Sequence, residues 1–235
     1  MKIAIIAGTF FPHPGGAQVQ VHNICNKLTE KKFQTDCYIF NKKNLKNNKY
    51  KIILIDKLII SLVFFSKYYF NINLNFILKN YLKKIIKNNS YDIWHFIFLN
   101  HKCLNIIECL IELNQKVIVT FQGADIQLNE KINYGFRLDK KYDNYLKKII
   151  GKIHHFFYIS KTIKKDLENL QISKKKMSYA PNSVEIEKFK KYHLIKPDKQ
   201  KINLITVARY SPKKKGYDIL IDISKKLLEK KINFE

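Results

Sequence analysis

The chain has 235 residues, 46% of them apolar, enough for one well-buried domain or for one domain with part of another, and wholesale disorder is excluded. Its 44 Lys and Arg face 19 Asp and Glu, a formal charge of +25. Arg occurs only at Arg137 and Arg209. The charge is therefore almost all Lys, which argues against a dedicated nucleic-acid binder, since such proteins read bases and phosphates with Arg forks. An anionic membrane surface as partner and a drift toward Lys-, Asn- and Ile-rich composition both stay open.

Residues 3–7, Ile-Ala-Ile-Ile-Ala, read as a buried strand; the run is too short for a signal-peptide core. A helix follows over 17–31, with Val21, Ile24, Cys25 and Leu28 on one face. Strands are predicted over 34–40 and 51–55. Residues 58–65 are strongly apolar but too few to span a bilayer, which takes about 20. The stretch 58–87 reads as a core helix pair, with a membrane-touching helix as the competing reading. Its second helix is predicted over 75–88. Next come a strand over 92–96, a helix over 104–113 and a strand over 116–121. A helix over 138–151, a strand over 155–159, a helix over 161–170 and a strand over 176–180 complete the alternation. This is the pattern of a doubly wound α/β fold with a parallel sheet. Residues 181–197 are polar and Pro-flanked, as a linker would be. A strand over 202–208 and a helix over 217–230 then open a second unit, with a further strand starting at 232–234. One βα unit of this kind cannot bury its own apolar face.

Four cysteines, Cys25, Cys37, Cys103 and Cys109, show no metal or redox spacing and read as buried thiols of a reducing cytoplasm.

The polar and Gly residues that could carry chemistry fall just after predicted strands, where ligands bind in such sheets. They are Gly8, His13, Gly15 and Gly16 after the first strand, His95 at the end of the 92–96 strand, and Gln122, Gly123 and Asp125 after the 116–121 strand. Ser160, Asn182, Arg209 and Lys213 to Gly216 follow later strands. In Gly8-Thr9-Phe10-Phe11-Pro12-His13-Pro14-Gly15-Gly16 a Gly pair opens a helix. Bare backbone N–H groups there suit a phosphate, although a plain turn has the same composition. The loop is neither a dinucleotide fingerprint nor a Walker A loop. His95 reads as a core histidine or as a cleft contact, Asp125 as a helix cap or an acceptor contact, and Ser160 as an N-cap.

Five segments, in order, resemble the retaining glycosyltransferase family four. The first is the 1–16 strand and Gly-Gly loop with its helix. The second is Tyr91-Asp92-Ile93-Trp94-His95, similar to an Asp-x-x-His strand. The third is Thr120-Phe121-Gln122-Gly123-Ala124-Asp125, similar to Thr-x-His-Gly-x-Asp. The fourth is Pro181-Asn182-Ser183-Val184-Glu185 with Phe189, similar to Pro-Asn-Gly-Val-Asp…Phe. The fifth is Val207-Ala208-Arg209 with Lys215-Gly216, similar to Arg…Lys-Gly. The departures are Gln122 in place of His, Ser183 and Glu185 in place of Gly and Asp, and an Arg-to-Gly spacing one residue longer, so that Lys214 or Lys215 can take the Lys role.

The resemblance implies a GT-B-like, Rossmann-like first domain over 1–183 on the acceptor side, a linker over 184–200, and the start of a nucleotide-sugar donor domain over 201–235. It implies Arg209 and Lys215 stabilising the leaving diphosphate, with Gly15, Gly16 and Lys214 also on the donor. It places His13, His95, Gln122 and Asp125 toward the acceptor. No Asp-x-Asp triplet occurs, so no metal or other cofactor is expected. The family's donor-binding carboxylate pair would fall after Glu235. The expectation is a retaining sugar transfer to a glycan or lipid-linked acceptor in cell-surface polysaccharide synthesis, at the cytoplasmic membrane face. A fragment that only binds acceptor or membrane is the alternative.

Overall fold

The computed structural model describes residues 1–10, 15–41, 48–184, 186, 202–208 and 210–234. They form two compact units, Met1–Ser183 and Val184–Glu235.

The first unit is built on seven strands: β1 (Lys2–Ala7), β2 (Gln34–Ile39), β3 (Lys51–Leu54), β4 (Ile93–Ile97), β5 (Val117–Phe121), β6 (His155–Tyr158) and β7 (Met177–Tyr179). They lie in the order β3-β2-β1-β4-β5-β6-β7, and every pair is parallel. This is the predicted doubly wound α/β architecture. Strand order reverses beside β1, so the crevice at the carboxyl ends of β1 and β4 is the topological switch point, where such sheets receive ligands.

Helices α1 (Gly16–Glu30), α2 (Lys57–Phe70), α3 (Asn75–Asn89), α4 (His101–Glu112), α5 (Lys140–Ile150) and α6 (Lys161–Asn169) connect the strands. The larger core cluster joins Trp94, Phe96, Val119, Phe121 and Phe156 of the sheet to apolar residues of α2 through α6. A smaller cluster joins Ile3, Ile5 and Cys37 to Val21 and Cys25 of α1. All four cysteines are buried free thiols.

Capping side chains, which periodicity does not reveal, set several helix starts. Helix α4 begins three residues before the expected 104, because the Asn100 side chain accepts from the Cys103 N–H at 3.1 Å. Helix α5 begins at Lys140 rather than 138, because Asp139 accepts from the Lys141 N–H at 2.9 Å and 136–138 form a 3₁₀ turn. Asp56 caps α2 and Ser160 caps α6, the latter as predicted. The 58–87 stretch is a helix pair, but only part of α2 is core: Ile60 and Val63 are buried, while Leu58, Leu62, Phe65, Tyr69 and Phe70 are exposed.

In the second unit α7 (Pro212–Lys215) and α8 (Tyr217–Glu229) form, the latter close to expectation. The strand expected over 202–208 does not. A single parallel bridge, Ile202 to Phe234, is present, and a strand needs a continuous ladder to a neighbour. Ile205, Val207, Ile219 and Leu228 of this unit stay exposed. The expected linker lies, apart from residues 184 and 186, outside the described residues. Among the described residues no helix is long and apolar enough to cross a membrane.

Candidate active site

At the switch point the loops after β1 and β4 are locked together by backbone. The Gly8 N–H donates to the Ile97 carbonyl at 3.1 Å, and the Asn100 amide donates to the Gly8 carbonyl at 2.7 Å. A Cβ on Gly8 would sit 1.6 Å from the Phe98 carbonyl oxygen, so only glycine allows this approach. Asn100 thus caps α4 and ties it to β1. The sequence reading missed it, although a polar side chain just before an apolar helical period is a usable signal.

Gly15 is the N-cap of α1, and among the described residues no side chain caps this helix. Beside Gly16 a Cβ would meet nothing within 4 Å. At Gly15 a Cβ would sit 2.6 Å from Gln18 Oε1, so the open space at the first turn of α1 lies beside Gly16. Two glutamines in α1, both buried, hold this corner. Gln18 donates to the Thr9 hydroxyl at 2.8 Å. Gln20 donates to the Ser183 carbonyl at 2.6 Å, while its oxygen accepts from the Ser183 N–H at 3.4 Å. Buried Gln on the packed side of a helix was a second overlooked signal.

After β5 the backbone turns through Gly123, whose φ of 135° suits only glycine. Asp125 holds this turn. Its carboxylate accepts from the N–H groups of Gly123 at 2.8 Å, Gln122 at 3.0 Å and Leu99 at 3.1 Å. It is 0% exposed. Its expected roles need revision: it caps no helix, and its carboxylate offers no exposed atom to an acceptor. Burial pushes its pKa up to about 6, against the lowering effect of the backbone N–H groups.

Gln122 and Asn182 form a reciprocal amide pair. Asn182 Nδ2 donates to Gln122 Oε1 at 2.8 Å, and Gln122 Nε2 donates to Asn182 Oδ1 at 3.3 Å. Two segments singled out in the sequence thus meet across β6, with Asn182 exposed.

His95 is placed differently. It lies inside β4, which continues to Ile97, and is 9% exposed. Its Nε2 is 2.7 Å from the Thr120 hydroxyl, and its ring leans on Phe157. Desolvation lowers its pKa to about 4, so the ring is neutral. Of the two readings left open, the geometry is that of the core one. Trp94 is core as well, donating to Gln115 at 3.2 Å.

His13 and Arg209 lie outside the described residues. Lys214 and Lys215 belong to the second unit, at the end of α7; Lys215 is exposed, and Gly216 turns into α8 at a φ of 68°. Among the described residues no group of three His, Cys, Asp or Glu is arranged to hold a metal ion.

The model of glycosyltransferase family 4 matches residues 14–188, well over half of the chain. The chain belongs to glycosyltransferase family 4. No curated protein sequence matches it. Among solved structures, HepE from Anabaena in complex with UDP-glucose is similar at a TM-score of 0.56 and 11% identity, over 80% of this chain and 45% of that one. Sucrose-phosphate synthase from Thermosynechococcus elongatus is similar at 0.52 and 10%, over 77% and 47%. UDP-GlcNAc 2-epimerase from Methanocaldococcus jannaschii, in complex with UDP-GlcNAc and UDP, is similar at 0.52 and 15%, over 77% and 47%. At these identities the likeness is one of fold. This family 4 chain spans about half the length of the solved structures it matches.

Proposed function

We propose that this family 4 chain serves transfer of a sugar from a nucleotide-activated donor to a glycan or lipid-linked acceptor, with retention at the anomeric carbon. The placement is the inner face of the cell membrane and the setting is cell-surface polysaccharide synthesis. The observation that carries the reading is the start of α1 at the β1/β4 switch point, where among the described residues no side chain caps the helix and Gly16 faces open space, in a chain whose family model covers that same segment.

The chemistry asks for little else. The bond from the anomeric carbon to the diphosphate breaks, so negative charge grows on the leaving phosphate. N–H donors at Gly15 and Gly16 and the cations Arg209, Lys214 and Lys215 are the groups assigned to that charge. No metal or other cofactor is invoked. On the acceptor side, the Gln122–Asn182 pair can exchange its mutual bonds for bonds to sugar hydroxyls. An amide cannot shuttle a proton, so its role is orientation. His13 belongs to the same proposed acceptor side. His95 and Asp125, buried behind the loops, would act there only by holding the loops in place.

Two of the similar structures hold UDP-sugars, which selects the probes. Purified chain is titrated with UDP, UDP-glucose and UDP-GlcNAc, then assayed for transfer to lipid-linked oligosaccharide with labelled donor. We expect nucleotide binding that weakens about tenfold in Lys215→Ala and in Gly16→Val, the range for losing one charged phosphate contact. Binding of acceptor or of membrane without transfer would support the alternative, a fragment that only binds acceptor or membrane. Absence of nucleotide binding would overturn the donor assignment.

A further inference from the structure

At the end of the first unit two glutamines hold its last two residues. Gln20 of α1 takes both polar groups of the Ser183 backbone. Its Nε2 donates to the carbonyl at 2.6 Å, and its Oε1 accepts from the N–H at 3.4 Å. This fixes the preceding residue, Asn182, whose side-chain amide pairs with that of Gln122 at 2.8 and 3.3 Å. Gln122 is held as firmly. Its backbone N–H donates to the Asp125 carboxylate at 3.0 Å. Beside it, a Cβ on Gly123 would lie 3.0 Å from the Tyr134 hydroxyl and 3.2 Å from Gln127 Oε1, so the loop has little room to shift that way. Tyr134 itself sits in a hairpin closed by reciprocal backbone bonds with Asn129, at 2.8 and 2.9 Å. Both members of the amide pair therefore stand on pinned backbone, which lowers the cost of ordering them around a ligand.

A side-chain amide carries two N–H donors and a carbonyl oxygen with two lone pairs. The mutual pair uses one donor and one lone pair of each residue. A second N–H on Asn182 Nδ2 and a second lone pair on Gln122 Oε1 are left over, on atoms 2.8 Å apart. The pair thus shows a donor beside an acceptor at the spacing of one hydrogen bond. Two hydroxyls on neighbouring carbons of a sugar ring show the complementary pattern, since one donates to the carbonyl and the other accepts from the N–H. A carboxylate or a fully ionised phosphate has acceptors only and satisfies half of it. A neutral histidine at position 122, the residue of the motif this segment resembles, would set its one donor and one acceptor apart on the ring, so the adjacency is a property of the glutamine. As a mere loop tie the pair contributes little, because both of its bonds are exposed and water competes for them. The Ser183 backbone is already held by Gln20.

We propose that the Gln122–Asn182 pair reads two neighbouring hydroxyls of a neutral acceptor sugar through the donor and acceptor it holds in reserve, so that no mutual bond need be given up, and that Gln20 is the positioning residue that keeps Asn182 in place for it. This names the feature selected in the acceptor and rests on the acceptor-side reading of the pair. A sugar that lacks either hydroxyl, or carries an ether or phosphate there, leaves one amide group facing no partner and is discriminated against. Because binding is read without donor or turnover, failure of this assignment and failure of the transfer reading are told apart.

The test is calorimetric titration of the whole chain with methyl glucoside, methyl galactoside and methyl mannoside, then with singly deoxygenated analogues of the best binder. We expect one parent glycoside or more to bind, and removal of either hydroxyl of one neighbouring pair to weaken it about tenfold, with little effect elsewhere on the ring. Gln122→Ala and Asn182→Ala should weaken the parent by about the same factor and bind parent and deoxy analogues alike. Their thermal midpoints should hold, because the bonds lost are exposed. Gln20→Leu should lose the same selectivity, which a merely structural role would leave intact. Gln20→Glu, which keeps the bulk and loses the donor to the Ser183 carbonyl, gives the same readout should Gln20→Leu fail to fold. Absence of binding by all of these glycosides, unchanged selectivity in Gln122→Ala and Asn182→Ala, or tighter binding of the corresponding sugar phosphate that those variants abolish would each overturn the assignment. Wild-type selectivity in the Gln20 variants would remove Gln20 from it.

Discussion

Asp125 and His95 sit behind the loop edge with pKa values moved in opposite directions, and the sign of each effect follows from its unfolded reference. Asp125 is raised from 3.8 to about 6, so its contribution to stability is complete below pH 3.8 and is lost as pH rises through 6. His95 is lowered from 6.5 to about 4, so its contribution is complete above pH 6.5 and is lost as pH falls through 4. Between those limits the two slopes oppose. His95→Gln should therefore lose roughly 3 kcal/mol relative to wild type on going from pH 4 to 6.5, and Asp125→Asn should gain about as much. Urea unfolding across that range reads both; parallel pH curves for the two variants would refute the assignment. Neither location was legible locally. A His and an Asp near strand ends look alike whether they face solvent or the core. Glycines make a second residue-scale contrast. Gly8→Ala must displace the Phe98 carbonyl and should cost more than about 2 kcal/mol, as overpacking against backbone does. Gly16→Ala meets open space in a helix and should leave the melting temperature unchanged or higher. Thermal unfolding of the pair checks this.

Among the elements, α4 shows what periodicity leaves out. The apolar pattern placed its start at 104, yet Asn100 starts it at His101 and also bonds Gly8. The two roles use different atoms, since Oδ1 caps and Nδ2 bridges. Asn100→Asp keeps a capping oxygen and loses the bridge, whereas Asn100→Ala loses both. We expect a cost of about 1 kcal/mol for the first and about 2 kcal/mol for the second. In hydrogen exchange, the Cys103 amide should lose protection in Asn100→Ala only. Helix α2 is the other instructive element. Its sequence is apolar around most of its circumference, so pattern alone could not say which face was core. The sheet and α3 select the Ile60–Val63 face and leave the Leu58–Tyr69 stripe outside.

For the molecule as a whole, the net charge of +25 opposes compaction, because like charges crowd together on folding. Raising NaCl from about 0.05 to 0.5 M shortens the screening length severalfold and should raise the thermal midpoint by a few degrees. A midpoint that falls with salt would mean that ion pairs such as Lys67–Glu108, at 2.6 Å and largely shielded from solvent, outweigh the repulsion. The exposed apolar residues of the second unit are legible at this scale too, since so short a segment has too little surface to cover its own side chains.

The alternation of short apolar runs with longer amphipathic segments was enough to determine a parallel, doubly wound sheet, because a strand buried on both faces and a helix buried on one leave distinct periods. It also predicted that Gly8, Gln122 and Asn182 would fall at one sheet edge, since each follows a strand of the same parallel sheet. Tertiary structure alone decided which of them meet. The pairing of Gln122 with Asn182 depends on β6 lying between β5 and β7, and the tie from Asn100 to Gly8 depends on β4 lying beside β1. Strand order is a long-range property, set by how the helices cover the sheet, and no local period encodes it. Burial of Asp125 and His95, and exposure of the outer stripe of α2, follow from that same packing.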